Sequence, residues 1–316
     1  MAKRYINLNE DMSHKLSNHF KTFLIFKEAQ GISERTRKDY TYHFNKLLEV
    51  CDDTLDIEIL KLGILRFFSN LNNKASVTYN MPYKYFNCFF NWCVDNDILE
   101  SNPLKDIGLK KKRETQKEID IPYDTINELL NSFDLKTYSG FRNYVIFILS
   151  IDTGIRPNEI LNVKIKDIDF KTSELKVKET VAKTRRQRSL PLSHISIDLL
   201  DKLIHITPKD WKQEYVFYTI DGNKMSSDCW SKIIQRQSKK LNVNATAYSL
   251  RHFFAIEFLR KNGNIFALQM IMGHTDISTT KKYIALSQVD LKNQHERATP
   301  LSSVIKRNTR ISKLFK

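Results

Sequence analysis

The 316-residue sequence has few of the residues that interrupt or cross-link a chain, with eight glycines, seven prolines and four cysteines. No two cysteines form a Cys-x-x-Cys pair, so we expect neither a disulfide framework nor a zinc site. No apolar run reaches the roughly 18–20 residues that span a bilayer, and the first residues, MAKRYINLNEDMSHK, have no hydrophobic signal core. These absences predict a folded cytoplasmic protein without a membrane partner.

Acidic residues are also in deficit, because 51 lysines and arginines stand against 36 aspartates and glutamates, a net charge of +15. A polyanionic partner such as double-stranded DNA is the natural inference from this excess. The alternative is that the excess charge only keeps the protein soluble. Charge alone does not decide between these two interpretations.

Apolar periodicity predicts a helical first domain over residues 1–112. Large side chains such as Tyr40, Phe44 and Leu47 recur at helical spacing, and several such segments follow one another with polar breaks between them. This pattern is typical of a bundle of four or more helices. The charged stretch 110–118 contains no large apolar side chain, so we expect a linker at 113–120.

Residues 121–316 are predicted to form a second domain of mixed structure. Helical segments precede and follow three consecutive strand-like segments, at 165–170, 174–180 and 188–192. The predicted fold class of the whole chain is therefore mostly α with a small antiparallel β-sheet.

Four separated segments supply the groups that attack on a phosphodiester requires. They are TGIRPNEI, a basic turn that contains Lys183, YSLRHFFA, and MGHTDISTTKKY. A phosphodiester gains a second negative charge as a nucleophile adds, so the guanidiniums of Arg156 and Arg251 would stabilise the transition state more than the ground state. Tyr283 would be the nucleophile, and its phosphate ester would keep the energy of the broken bond for rejoining. Lys183 would protonate the leaving 5′-hydroxyl, and His274 would donate to a phosphate oxygen or assist proton movement.

This chemistry requires no metal and no cofactor. Each of these residues also has a simpler explanation when it is taken singly. Arg156 could be a surface residue at a helix start, His274 a hydrogen-bonded turn histidine, and Tyr283 one of 13 tyrosines that mostly pack. The order and spacing of the four segments favour the functional interpretation.

The same segments resemble those of the tyrosine recombinase, or phage integrase, family. TGIRPNEI is similar to the family's first arginine motif, YSLRHFFA to the second and MGHTDISTTKKYIAL to the last, while GISERTRKDYTYHF and FNWCVDNDILESNP resemble its core-binding domain. The resemblance implies a helical core-binding domain plus an α+β catalytic domain, which form a C-shaped clamp on DNA. By position, the resemblance makes Arg156 and Arg251 the paired phosphate-binding arginines and Lys183 the β-turn lysine. It makes His274 the histidine of the third motif and Tyr283 the nucleophile.

The chain departs from the family at Tyr248, where a histidine usually stands three residues before the second arginine. A phenol can hydrogen-bond a phosphate, but with a pKa of about 10 it is a poorer proton relay than imidazole. The resemblance implies a supporting role for Glu159, and packing or support for His252. The basic residues predicted to bind DNA are Arg185, Arg186, Arg188, Lys110, Lys111 and Lys112.

The resemblance further implies a homo-tetramer acting on two DNA sites. Strands would be exchanged through 3′-phosphotyrosine links and a four-way junction, in a recombinase of a phage or mobile element with accessory DNA-bending or directionality factors. A tail from about residue 287 would pack on a neighbouring protomer or form a frayed end. The rival hypotheses are a type IB topoisomerase, which relaxes one duplex, and a DNA-binding or regulatory protein that has lost its chemistry.

Overall fold

The structure, a computed structural model, describes residues 14–113, 121–178, 187–211 and 214–284, with the isolated residues 295, 299 and 300. The chain divides into two compact units, Met1–Lys117 and Glu118–Lys316. Most of the predicted linker, from 114 to 120, lies outside the described residues. The assignment of a core-binding and a catalytic domain stays a prediction. None of the helices in the described ranges is long and apolar enough to cross a membrane.

The described part of the first unit is helical. Side-chain caps begin two of its helices: the Ser33 hydroxyl accepts the N–H of Thr36, and the Asp56 carboxylate accepts those of Glu58 and Ile59. The helices are α1 (Leu16–Ala29), α2 (Glu34–Leu48), α3 (Ile57–Asn70), α4 (Ser76–Asp95) and the single turn α5 (Pro103–Asp106).

Aromatic side chains fill the core of the first unit. Phe20 of α1 stacks on Phe44 of α2 with ring centroids 3.8 Å apart, and Phe89 of α4 meets these two rings edge-on at 5.4 and 5.6 Å. Large rings bury much apolar area each, and edge-on pairs add a further ~0.5–1.5 kcal/mol. The three helices are therefore held together chiefly by one aromatic cluster.

The second unit combines helices with a small sheet. Two of its helices, Tyr138–Thr153 and Ala247–Arg260, pack against each other. The sequence of the first, YSGFRNYVIFILSIDT, is apolar on most of its faces, as expected for a buried helix. The helices are α6 (Tyr123–Asn131), α7 (Tyr138–Thr153), α8 (Pro157–Ile160), α9 (His194–Ile206), α10 (Ser227–Lys240), α11 (Ala247–Arg260), α12 (Ile265–Met272) and α13 (Ile277–Lys281).

The sheet is antiparallel with the strand order β1 (Ile168–Asp169), β2 (Glu174–Val177) and β3 (Arg188–Pro191). The predicted fold class, mostly α with a small antiparallel sheet, is confirmed. The first strand is shorter than predicted, because Ile165–Asp167 forms a 3₁₀ turn in which the Asp167 carboxylate accepts the N–H of Lys164 at 3.2 Å. The segment 179–186 between β2 and β3 lies outside the described residues.

Candidate active site

Arg251 connects three of the four segments that the sequence singles out. It lies in the second turn of α11, whose start is capped by Thr246 and Ser249, and only 4% of its surface is exposed. Its guanidinium donates to the carbonyl oxygens of Gly154 and Met272, the latter at 2.7 Å, and to Nε2 of His274 at 3.1 Å. Segments that are far apart in the chain are therefore joined at one side chain.

Two glycines end the helices that present these carbonyl groups. Gly154 follows α7 with φ +60°, and a Cβ there would collide with the ring of Phe254. Gly273 follows α12 with φ +62°, and a Cβ there would lie 3.0 Å from the guanidinium of Arg188. Both positions thus require glycine, for the left-handed backbone and for the close approach of neighbouring side chains.

Arg156 is held by a buried carboxylate. Its Nη1 donates to Glu159 at 2.9 Å and its Nη2 to the carbonyl oxygen of Gly273 at 3.1 Å. The other oxygen of Glu159 accepts from Nη2 of Arg188 at 2.6 Å. Burial opposes ionisation of Glu159, but hydrogen bonds and charges from Arg188 and then Arg156 outweigh it and lower the pKa of this carboxyl. Glu159 is therefore an anion between two cations.

Arg188 was predicted from its basic surroundings to contact DNA, and the structure gives it other partners. Besides Glu159, it donates from Nε to the carbonyl oxygen of Ile271 at 2.8 Å, and its side chain is 9% exposed. Protein oxygens thus engage three of its five N–H donors. Arg188 positions Glu159, and through it Arg156, and its contact with DNA stays a prediction.

His274 is neutral and oriented by the same cluster. Burial, followed by the charges of Arg251 and Arg156, lowers its pKa to about 4. Because a guanidinium can only donate, Nε2 of His274 accepts from Arg251, and Nδ1 carries the proton that it donates to the Thr280 hydroxyl at 2.9 Å. In this arrangement His274 holds Arg251 in place. Its role in donating to a phosphate oxygen or assisting proton movement stays a prediction.

Tyr283 lies beside the two arginines with only 5% of its surface exposed. Burial raises the pKa of its phenol, and the charges of Arg251 and Arg156 partly offset that rise. Its hydroxyl makes a 2.7 Å hydrogen bond with Nδ1 of His252. The sequence assigned His252 only to packing or support, and its one usable signal was its position next to Arg251 on the same helix.

Burial also affects the second arginine. Desolvation, with repulsion from Arg156, lowers the pKa of Arg251 to about 9, which leaves the guanidinium charged at neutral pH. The site thus contains three guanidiniums, those of Arg156, Arg188 and Arg251, and the first two contact the carboxylate of Glu159. The cluster is suited to an anion that brings further negative charge.

The remaining predicted residues are distributed differently. Lys183, Arg185 and Arg186 lie outside the described residues. Tyr248, in the first turn of α11, has 53% of its surface exposed. No group of three or more His, Cys, Asp or Glu side chains that could hold a metal ion occurs within the described ranges.

The three predicted lysines belong to the first unit. Lys110 and Lys111 are exposed. The ammonium of Lys112 instead contacts the carbonyl oxygens of Asn72 and Lys74 and lies 4.8 Å from the ring centre of Tyr79. Lys112 therefore has partners within the protein, and DNA contact by the three lysines stays a prediction.

The chain is similar to known proteins over most of its length. Residues 120–290 match the model of the phage integrase family. The chain is 24% identical over 298 residues to tyrosine recombinase XerD of Listeria monocytogenes, an alignment that covers 90% of this chain and 98% of XerD.

Two solved structures show the same fold. The Tn1549 transposon integrase in complex with a circular intermediate DNA has a TM-score of 0.72 at 17% identity, covering 90% of this chain and 99% of that one. A lambda integrase tetramer bound to a Holliday junction has a TM-score of 0.69 at 17% identity, covering 87% and 83%. The chain belongs to the phage integrase family, the tyrosine-type site-specific DNA recombinases.

Proposed function

We propose that this chain cleaves and rejoins DNA at specific sites through a covalent 3′-phosphotyrosine intermediate, with Tyr283 as the nucleophile. The observation that carries the proposal is the convergence of Arg156, Arg251 and His274 beside Tyr283, from segments far apart in the chain. The charges of both arginines act on the Tyr283 hydroxyl, as they would on a phosphate that this hydroxyl attacks.

The two arginines are suited to bind the scissile phosphate. A guanidinium has five N–H donors, and the contacts with protein use two of them in Arg156 and three in Arg251. Donors therefore remain for the non-bridging oxygens. Because attack adds negative charge to these oxygens, fixed cations stabilise the transition state more than the bound substrate.

Lys183 is our proposed general acid for the leaving 5′-oxygen. The strands on either side of its segment are paired, with Val177 opposite Arg188, and Arg188 contacts Glu159 of the site. The segment thus leaves and rejoins the described structure next to the cluster. This supports a lysine within reach of the leaving group.

The proposal for the larger assembly rests on the family resemblance and on the solved structures of relatives. We propose a homo-tetramer on two DNA sites that passes through a four-way junction, with the first unit as the core-binding domain. The lambda integrase tetramer bound to a Holliday junction supports this arrangement. An origin in a phage or mobile element, accessory directionality factors and a cytoplasmic location belong to the same proposal.

The test is capture of the covalent adduct. Purified protein is incubated with a library of nicked duplexes that carry randomised sequence, so that the short fragment beyond each nick diffuses away after cleavage and prevents rejoining. We expect an adduct that survives boiling in detergent. Proteolysis should leave nucleotide attached through a 3′-phosphate to the peptide that contains Tyr283.

Matched tyrosine variants control for the loss of one hydroxyl. Tyr283→Phe should bind DNA without forming the adduct. Tyr144 is a half-buried tyrosine of α7, and Tyr144→Phe should form the adduct normally. An adduct on another tyrosine would show that the assignment is wrong. Relaxation of supercoiled DNA without exchange between sites would favour the topoisomerase, and binding without any adduct would favour the non-catalytic DNA-binding protein.

A further inference from the structure

His252 occupies a position for which the sequence suggested no chemistry. It follows Arg251 on α11 and is half-buried, and its ring centre lies 5.6 Å from that of Tyr283. Its Nδ1 is 2.7 Å from the Tyr283 hydroxyl oxygen, and no other hydrogen bond to that hydroxyl is formed within the described ranges. A titratable ring thus touches the atom that the proposed function makes the nucleophile.

The Tyr283 hydroxyl needs a proton acceptor. Burial raises the pKa of the phenol, so the phenol is protonated at neutral pH in spite of the neighbouring arginines. His274, the other histidine of the cluster, has both ring nitrogens engaged, one by Arg251 and one by Thr280. Among the described groups of the cluster, His252 is the histidine whose ring nitrogen is hydrogen-bonded to the Tyr283 hydroxyl.

We propose that His252 is the catalytic base that activates Tyr283, an inference that rests on the proposed function. In the tautomer with its proton on Nε2, His252 accepts the hydrogen of the Tyr283 hydroxyl at Nδ1. As the tyrosine oxygen bonds to phosphorus, its O–H bond breaks and the proton passes to Nδ1. The bond from phosphorus to the 5′-oxygen breaks, and that oxygen takes its proton from the general acid, which we propose is Lys183.

Rejoining runs the same step in reverse. The 5′-hydroxyl attacks the phosphotyrosine and returns its proton to the general acid, while the tyrosine oxygen leaves phosphorus and recovers its proton from the imidazolium of His252. Atoms and charges balance over the cycle. No other reactant is needed.

The charges around His252 suit an acceptor that works only with DNA bound. Burial, and then the charge of Arg251, lowers the pKa of His252 to about 4, so the ring is neutral and free to accept a proton. Arg251, the cation whose charge acts on His252, would be partly neutralised by a bound phosphate. The proton affinity of His252 would therefore rise when the substrate is in place.

The test separates proton transfer from positioning. His252→Asn keeps a hydrogen-bonding group near Nδ1 but removes the basic nitrogen. DNA sequences recovered as adducts of the wild-type protein serve as substrates. We expect single-turnover cleavage by His252→Asn to fall by about 10²–10⁴-fold, the usual contribution of a general base, while DNA binding is retained.

A sulfur atom in place of the bridging 5′-oxygen sharpens the test, because a thiolate leaves without needing a proton. This substrate should restore cleavage by Lys183→Ala but not by His252→Asn. Added imidazole should partly restore His252→Ala on ordinary DNA. Cleavage by His252→Asn within about threefold of wild type, or its full recovery on the sulfur substrate, would overturn the proposal.

Two further outcomes keep the inference separate from the proposed function. If the wild-type protein forms no adduct with any library duplex, the proposed function fails and the role of His252 fails with it. If His252→Asn does not fold, ¹⁵N-histidine spectra of the wild-type protein decide: an unprotonated Nδ1 on His252 supports the proposal, and a protonated Nδ1 contradicts it.

Discussion

The two units build their cores from different side chains. Among the described residues of the first unit, the buried polar side chains are those of Asn80 and Asn102, and aromatic and aliphatic side chains fill most of the rest. The second unit buries charged groups, including Arg142, Glu159 and Arg251. The first core is thus stabilised mainly by removing apolar area from water, whereas the second also holds ions that cost free energy to bury.

The balance of charges in the second core explains why the protein keeps buried ions that cost free energy. Glu159 compensates Arg156 and Arg188, while Arg251 is bound by carbonyl oxygens and a neutral histidine rather than a carboxylate. An excess of positive charge is therefore fixed before any substrate arrives. A phosphate completes the cluster, and the protein need not reorganise as charge develops on it.

The largest expected effect contrasts one residue from each core. Arg251→Ala should slow cleavage at saturating DNA by about 10²–10³-fold or more, since it removes a fixed donor to the developing charge. Phe89→Ala should lower the free energy of unfolding by about 3–5 kcal/mol but leave cleavage by the folded, DNA-bound protein unchanged. Single-turnover kinetics and denaturant unfolding measure the two effects, and near-normal cleavage by Arg251→Ala would contradict the comparison.

Glu159→Gln tests whether buried charge governs the stability of the second unit. It leaves Arg156 and Arg188 without their anion, so the second unit should lose about 3–5 kcal/mol. Hydrogen exchange of peptides from α8 and β3 measures this loss. Glu214→Gln is the matched control, because it breaks the exposed 2.6 Å pair with Lys164 and should have no measurable effect. Equal losses in the two variants would refute the argument.

Acid should weaken the second unit more than the first. The pKa values of His252 and His274 are lowered to about 4, so between pH ~6.5 and about 4 the unfolded chain binds protons that the folded unit does not, and stability falls with pH. The lowered pKa of Glu159 adds stability that is present above pH ~4.3 and is lost as pH falls through its folded value. In the first unit burial lowers the pKa of His43 as well. The second unit has two such histidines together with Glu159, so we expect it to lose more stability in acid.

Hydrogen exchange at pH 7 and pH 5 checks this difference within one chain. Peptides of α11 and α12 should lose more protection, after correction for the intrinsic exchange rate, than peptides of α2 and α4. An equal loss in both units would show that the buried histidines of the second unit do not control its acid stability.

Local sequence signals predicted the elements better than the contacts between them. Tyr40, Phe44 and Leu47 were expected on one helical face, and all three are buried on α2. The first strand was overestimated, since the alternation of side chains at 165–170 does not reveal that Asp167 caps its own turn. Periodicity reports burial, and a side-chain cap can override it locally.

The candidate site shows the same limit. Order, spacing and family resemblance singled out Arg156, Arg251 and Tyr283, which the structure brings together. The contacts of Arg188 with Glu159 and of His252 with Tyr283 join residues 29 and 31 positions apart. They depend on how β3 and the end of α13 pack against the site, which no local pattern encodes.

The smallest expected effect comes from Tyr248, which stands where the family usually has histidine. Unlike Tyr283, it is more than half exposed, and it lies on the same helix as Arg251. If its phenol only hydrogen-bonds a phosphate, Tyr248→Phe should keep cleavage within about tenfold of wild type, since one modest interaction contributes about 1.4 kcal/mol. Single-turnover cleavage measures this, with Tyr248→His as the partner that restores the usual residue. A loss of several orders of magnitude in Tyr248→Phe would give the phenol a direct chemical role, and proton transfer in the reaction would then not depend on His252 alone.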